Sequence, residues 1–83
     1  MQVDGAVVRE QGITFAIVLV NQSGMNDPAG TRGAFQGLFP RVPLVLAHQD
    51  AFGRFEYQGR RDLVDFLASI DPSRIPWQRY TFS

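Results

Sequence analysis

Hydrophobic positions along this 83-residue chain fall into short, dense runs separated by polar stretches bearing glycine or proline. Residues 6–10 (AVVRE) and 13–20 (ITFAIVLV) are β-branched and apolar, with Gln11-Gly12 between them. Two residues ending in glycine between strand-like runs predict a tight hairpin. The second run is apolar at both parities for most of its length, which predicts a central strand covered on two sides or by a partner. The chain then turns polar (NQSGMN) and reaches Asp27-Pro28, an N-cap followed by a proline suited to the first helical position. Pro40 sets the latest end, so a helix is expected over 28–39. At about 100° per residue, Thr31, Ala34, Phe35, Leu38 and Phe39 cover one broad face of that helix. Gly30, Gly33 and Gly37 share the adjoining arc, a device for close approach to a sheet or a twin helix, while Arg32 and Gln36 point away.

Residues 42–48 predict a second central strand, entered through Pro43. In residues 54–58, Phe55 and Tyr57 alternate with Arg54, Glu56 and Gln58, the pattern of a half-exposed antiparallel strand. After Gly59, Leu63, Phe66, Leu67 and Ile70 recur at helical spacing until Asp71-Pro72 stops the helix. Residues 71–83 form a C-terminal tail or an extra strand over 78–82. The predicted architecture is a single small α+β domain over residues 1–83. Its order is β-β-α-β-β-α(-β), with a mixed four- to five-stranded sheet and two packed helices. A helix joining the second and third strands most simply leaves those two parallel.

Composition narrows the chemistry. Lys plus Arg equals Asp plus Glu at eight each, so the whole-chain positive footprint of a nucleic-acid binder is absent and only a local patch stays open. Every basic residue except the single histidine is arginine, which excludes a Schiff-base or P-loop lysine. The chain has no cysteine, so thiolate and disulfide chemistry are excluded, and one histidine cannot make a multi-histidine metal site. No metal and no cofactor is expected. The N-terminal residues lack the charge-then-apolar pattern of a signal peptide, and the longest apolar run is too short to cross a bilayer. The expectation is a soluble cytoplasmic protein. A core this small also invites completion by a second copy, so a homodimer, or assembly with another protein, is the expected partnership.

From Val42 onward, "VPLVLAHQDAFGRFEYQGRRDLVDFL" resembles the C-terminal part of a thioredoxin-like domain across residues 42–70. It has a Val-Pro step into a strand, a hairpin, a glycine after the second strand, and an amphipathic helix. The resemblance implies a cis peptide bond at Pro43, beside the active site in that family. This chain departs from the family in lacking Cys-x-x-Cys, so it could carry no dithiol chemistry. It also lacks the strand–helix pair that makes the family's corresponding strands antiparallel.

Three groups of residues are candidate sites. Parallel second and third strands would bring Asn21, Ser23, His48 and Asp50 to one sheet edge near a helix N-terminus, where small ligands favour binding. A serine–histidine–aspartate relay can be drawn from them. Turn and capping roles with one surface histidine account for the same residues. Arg41, Arg60 and Arg61 would gather at the opposite edge as an anion or acidic-partner patch, with Asp62 and Asp65 close enough to neutralise them. The aromatic tail, Trp77, Tyr80 and Phe82, is either an interface or cover for the domain's own sheet. The glycine-rich stretch 23–40 has the wrong spacing for a phosphate loop. Its "GTRG" formally matches the Gly-x-x-Gly loop of KH RNA-binding domains, though that loop joins two helices. The leading expectation is a non-catalytic interaction or assembly module.

Overall fold

The computed structural model describes residues 1–10 and 12–81. Strands β1 (Gln2–Glu10) and β2 (Ile13–Leu19) pair antiparallel from Gly5↔Val18 to Glu10↔Ile13, and Gly12 supplies the positive φ of 77° in the turn. Helices α1 (Gln22–Asn26) and α2 (Pro28–Phe35) and a 3-10 turn (Gln36–Leu38) lead to β3 (Leu44–Gln49). Strand β3 lies parallel to β2, as the crossover predicts. Then come β4 (Phe55–Gln58), helix α3 (Arg61–Ala68), a second 3-10 turn (Pro72–Arg74) and β5 (Gln78–Thr81). The result is an α+β domain whose five strands run in the order β4-β3-β2-β1-β5.

Strands β2 and β3 are apolar at both parities because both sheet faces are covered. On one face Phe15, Ile17, Val45 and Ala47 pack with Leu63 and Leu67 of α3 and with Ile75. On the other, Ala16, Val18, Leu44 and Leu46 pack with Phe39 and with the half-buried Met25, Phe35 and Leu38.

Strand β1 begins four residues earlier than the hydrophobic pattern indicated. Its first half is held by β5, with Gln2↔Thr81 and Gly5↔Gln78 as the limits of the register. Gly5 is required there: a Cβ would lie 2.7 Å from the Ile17 carbonyl oxygen and 3.5 Å from the Tyr80 ring.

Five expectations are corrected. The polar stretch after β2 forms a helix beyond the two expected, α1, capped by Asn21 and seated through Met25. The helix expected over 28–39 starts at Pro28 under the Asp27 cap, yet stops at Phe35 and tightens into 3-10 geometry. The glycine arc does not approach the sheet: a Cβ at Gly33 or Gly37 would meet nothing within 4 Å, and one at Gly30 would meet its own Asp27 cap. Close approach occurs at Gly24 instead, where a Cβ would lie 3.0 Å from the Val20 Cβ. Arg32 and Gln36 turn inward, because their long side chains reach carbonyl groups around the start of β3. Arg32 donates to Leu44 O and Gln58 O, and Gln36 to Phe39 O and Val42 O. The Pro43 peptide bond is trans, as is every peptide bond among the described residues.

The open space over Gly33 makes a simple prediction. Gly33→Ala should stabilise the protein by roughly 0.5–1 kcal/mol, because alanine loses less backbone entropy in a helix and here strikes nothing. Urea denaturation measures it; a destabilised variant would place that arc against the protein.

Candidate functional site

At the carboxyl ends of β2 and β3 the polar residues are held by their own backbone. Asn21 Oδ1 accepts the Gly24 N–H at 2.8 Å and so starts α1. His48 Nδ1 donates to the Val20 carbonyl at 3.0 Å, linking the end of β3 to the end of β2. Asp50 Oδ1 accepts the N–H groups of Phe52 (2.8 Å) and Arg54 (2.9 Å), and Oδ2 meets Arg54 Nε at 3.3 Å. The Arg54 backbone bond is the largest cause of the lowered Asp50 pKa, with Phe52 and the Arg54 guanidinium adding to it. Ser23 is exposed on α1. A catalytic relay needs an acid on His48 Nδ1, and the Val20 carbonyl occupies that position.

Two shallow recesses flank these strand ends. On the α1–α2 side, a groove of ≈ 550 Å³ is lined by Val20, Asn21, Asp27, Thr31 and Phe35 among others. On the α3 side, one of ≈ 390 Å³ is lined by Asp4, Leu19, Gln49, Phe55, Pro72 and Trp77. Of the four residues expected at this edge, Asn21 alone lines either groove.

At the opposite end, Arg60 forms a two-point ion pair with Asp62 at 3.0 and 2.6 Å, which raises the Arg60 pKa and lowers that of Asp62. Arg41, with φ of 69°, and Arg61 are exposed. The guanidinium that joins Arg60 is Arg32. The two line a recess of ≈ 410 Å³ with Gln36, Pro43, Gln58 and Gly59. Arg32 binds Leu44 O, Gln58 O and Gln58 Oε1, all neutral acceptors, and no carboxylate pairs with it among the described residues. Helical periodicity could not find it, because an ideal helix through residue 39 points Arg32 at solvent.

The tail folds onto its own sheet. Trp77 stacks on Phe55 at 6.1 Å and donates through Nε1 to the Pro72 carbonyl, and Tyr80 meets Phe39 edge-on at 5.0 Å. Phe82 lies outside the described residues.

Strand β4 is the end strand beside β3, and its flank is apolar. A groove of ≈ 400 Å³ there is lined by Arg54, Phe55, Tyr57, Leu67, Ile70 and Pro72. The Tyr57 hydroxyl is buried, has no hydrogen-bond partner among the described residues, and is pushed up in pKa by that burial. In the preceding turn Phe52 is 83% exposed, with the Arg54 guanidinium 5.5 Å over its ring.

Comparison with protein-family models, curated proteins and solved structures returns no match. No three His, Asp or Glu side chains cluster to hold a metal ion, and no helix is long and apolar enough to cross a membrane, among the described residues.

Proposed function

We propose that this protein is a small non-catalytic interaction module that assembles with copies of itself. The observation that carries this reading is the convergence at β4 of an end strand, an apolar groove and the highly exposed Phe52. Such a combination suits strand pairing or apolar docking, and a core of this size gains from completion by a second chain.

The polar residues support the same reading. Asn21, His48 and Asp50 each serve a backbone contact, and no charged residue is buried among the described residues. The carboxyls of Asp50, Asp62 and Asp71 are all held low by backbone or arginine hydrogen bonds. A general acid at neutral pH needs the opposite shift.

Light scattering across a wide concentration range tests the proposal. The mass should rise from 9.3 kDa toward twice that value as concentration increases. A strict monomer throughout would reject self-association.

A further inference from the structure

We infer that two copies join β4 to β4, antiparallel, about a two-fold axis through Phe55, fusing the two sheets into one. This inference rests on the self-association proposed above and names the surface responsible.

The backbone phase is fixed by β4's pairing with β3. Gln49 faces Phe55, so Asp50 and Arg54 form the next pair, and the Asp50 N–H donates to the Arg54 carbonyl at 2.9 Å. Hydrogen-bonded and non-bonded pairs alternate along an antiparallel ladder. Arg54, Glu56 and Gln58 therefore turn their backbone groups toward β3, while Phe55 and Tyr57 turn theirs outward. The outward N–H and C=O of Phe55 can be exchanged with those of a second Phe55.

The side chains select that register. In an antiparallel two-fold pair, residues flanking the axis face each other reciprocally. An axis at Phe55 sets Arg54 opposite Glu56 of the second copy, and Glu56 opposite its Arg54. Opposite charges directly across a strand pair attract, and like charges repel. An axis at Arg54 or at Glu56 opposes identical charges, and one at Tyr57 sets Arg54 against Arg60. Arg54 meets Asp50 through Nε, and Glu56 is exposed and makes no ion pair among the described residues. The "RFE" triplet is thus self-complementary about its aromatic centre.

Neighbouring surfaces agree with this occupant. Successive strand residues alternate between faces, so Phe55 and Tyr57 lie on the α3 side, against the apolar groove formed with Leu67 and Ile70. Two copies of that groove would meet beside the axis. Phe52 lies in the turn that leads into β4, where the Gly53 N–H donates to the Asp50 carbonyl, so its exposed ring stands at the end of the paired strands and gains cover there. The other end strand, β5, lacks this property. Its residues Gln78–Thr81 include no acid to oppose Arg79, which is already paired with Asp4 at 2.5 Å.

The test uses charge exchange in trans. Arg54→Glu alone opposes glutamates across the axis, and Glu56→Arg alone opposes arginines. Each variant should weaken self-association by at least about tenfold. Mixed in equal amounts, the two variants present opposite charges at both positions and should form a 1:1 heterodimer, read by native mass spectrometry. Both positions are exposed, and damage confined to one chain would not be repaired by the other. Single variants that dimerise like the wild type, or a mixture that fails to recover, would overturn the β4 register while leaving self-association standing. A wild type that stays monomeric would overturn both.

Discussion

Phe15→Ala should bring the protein to the edge of unfolding, with a loss of about 3–5 kcal/mol. Phe15 is fully buried on the α3 face of β2, the strand that pairs with both β1 and β3. Its cluster includes Ala6 and Ala47, whose methyl groups cannot extend into the space left by a missing ring. Those alanines sit on paired strands, so the backbone cannot close the gap without disturbing two ladders. A domain of this length has a total stability of roughly 4–12 kcal/mol, so the loss consumes much or all of it. Phe52→Ala is the matched control: the same atoms are removed from a ring that is 83% exposed, and the change should stay within about 0.5 kcal/mol. Urea denaturation of both variants decides the matter. A Phe15→Ala loss no larger than that of Phe52→Ala would mean that α3 does not close this face.

The contrast between those two phenylalanines shows what the sequence makes legible. Phe15 stands in a run that is apolar at both parities, a pattern with few solutions besides a strand covered on two faces. The same reasoning finds β3, and spacing alone finds the buried Leu63 and Leu67 of α3. Asp27-Pro28 marks a helix start whose cap bond is present, Gly30 N–H to Asp27 Oδ1 at 3.3 Å. What escapes depends on contacts far along the chain. "QVDG" has little strand character of its own, and becomes strand because β5 lies beside it and Arg79 pairs with Asp4. "QSGMN" contains poor helix formers, but the Asn21 cap and a Gly24 lying against Val20 seat it on the sheet. Both failures are tertiary context overriding local propensity.

Candidate sites suffer more, because side-chain roles depend on fractions of a turn. Three glycines fall on one arc of an ideal 12-residue helix, but the real helix changes pitch after Phe35 and leaves Gly33 and Gly37 over open space. The same change accompanies the inward turn of Arg32 and Gln36 onto carbonyl groups. Asn21, His48 and Asp50 are correctly placed near the ends of β2 and β3, yet residue type could not reveal that their polar atoms serve the backbone there. The self-complementary order of Arg54, Phe55 and Glu56 is visible in the sequence, but it matters only once β4 is known to end the sheet.

Ending the chain at Asp71 should abolish cooperative folding. The segment removed carries Ile75, only 4% exposed in the α3-face cluster, together with the Trp77–Phe55 and Tyr80–Phe39 contacts. It also carries β5, whose loss strips a neighbour from Gln2–Gly5 of β1. Burial of an isoleucine contributes roughly 1.5–3 kcal/mol, and the two large aromatics add comparable amounts even half-buried. Their sum rivals the whole stability expected for a domain this size. Trp77 is the single tryptophan, so its fluorescence vanishes with the tail, and circular dichroism during a thermal scan is the suitable readout. The expected trace has no cooperative transition. A truncated chain that melts cooperatively but no longer self-associates would move Trp77 and Tyr80 from the core to the interface. Trp77→Ala and Tyr80→Ala in the full chain separate the two sheet faces, because Trp77 covers the α3 side and Tyr80 the α2 side. Trp77 also reaches Phe55, the centre of the inferred strand pairing, whereas Tyr80 belongs to β5, at the opposite end of the sheet from β4. Loss of assembly beyond loss of stability should therefore appear in the first variant and not in the second.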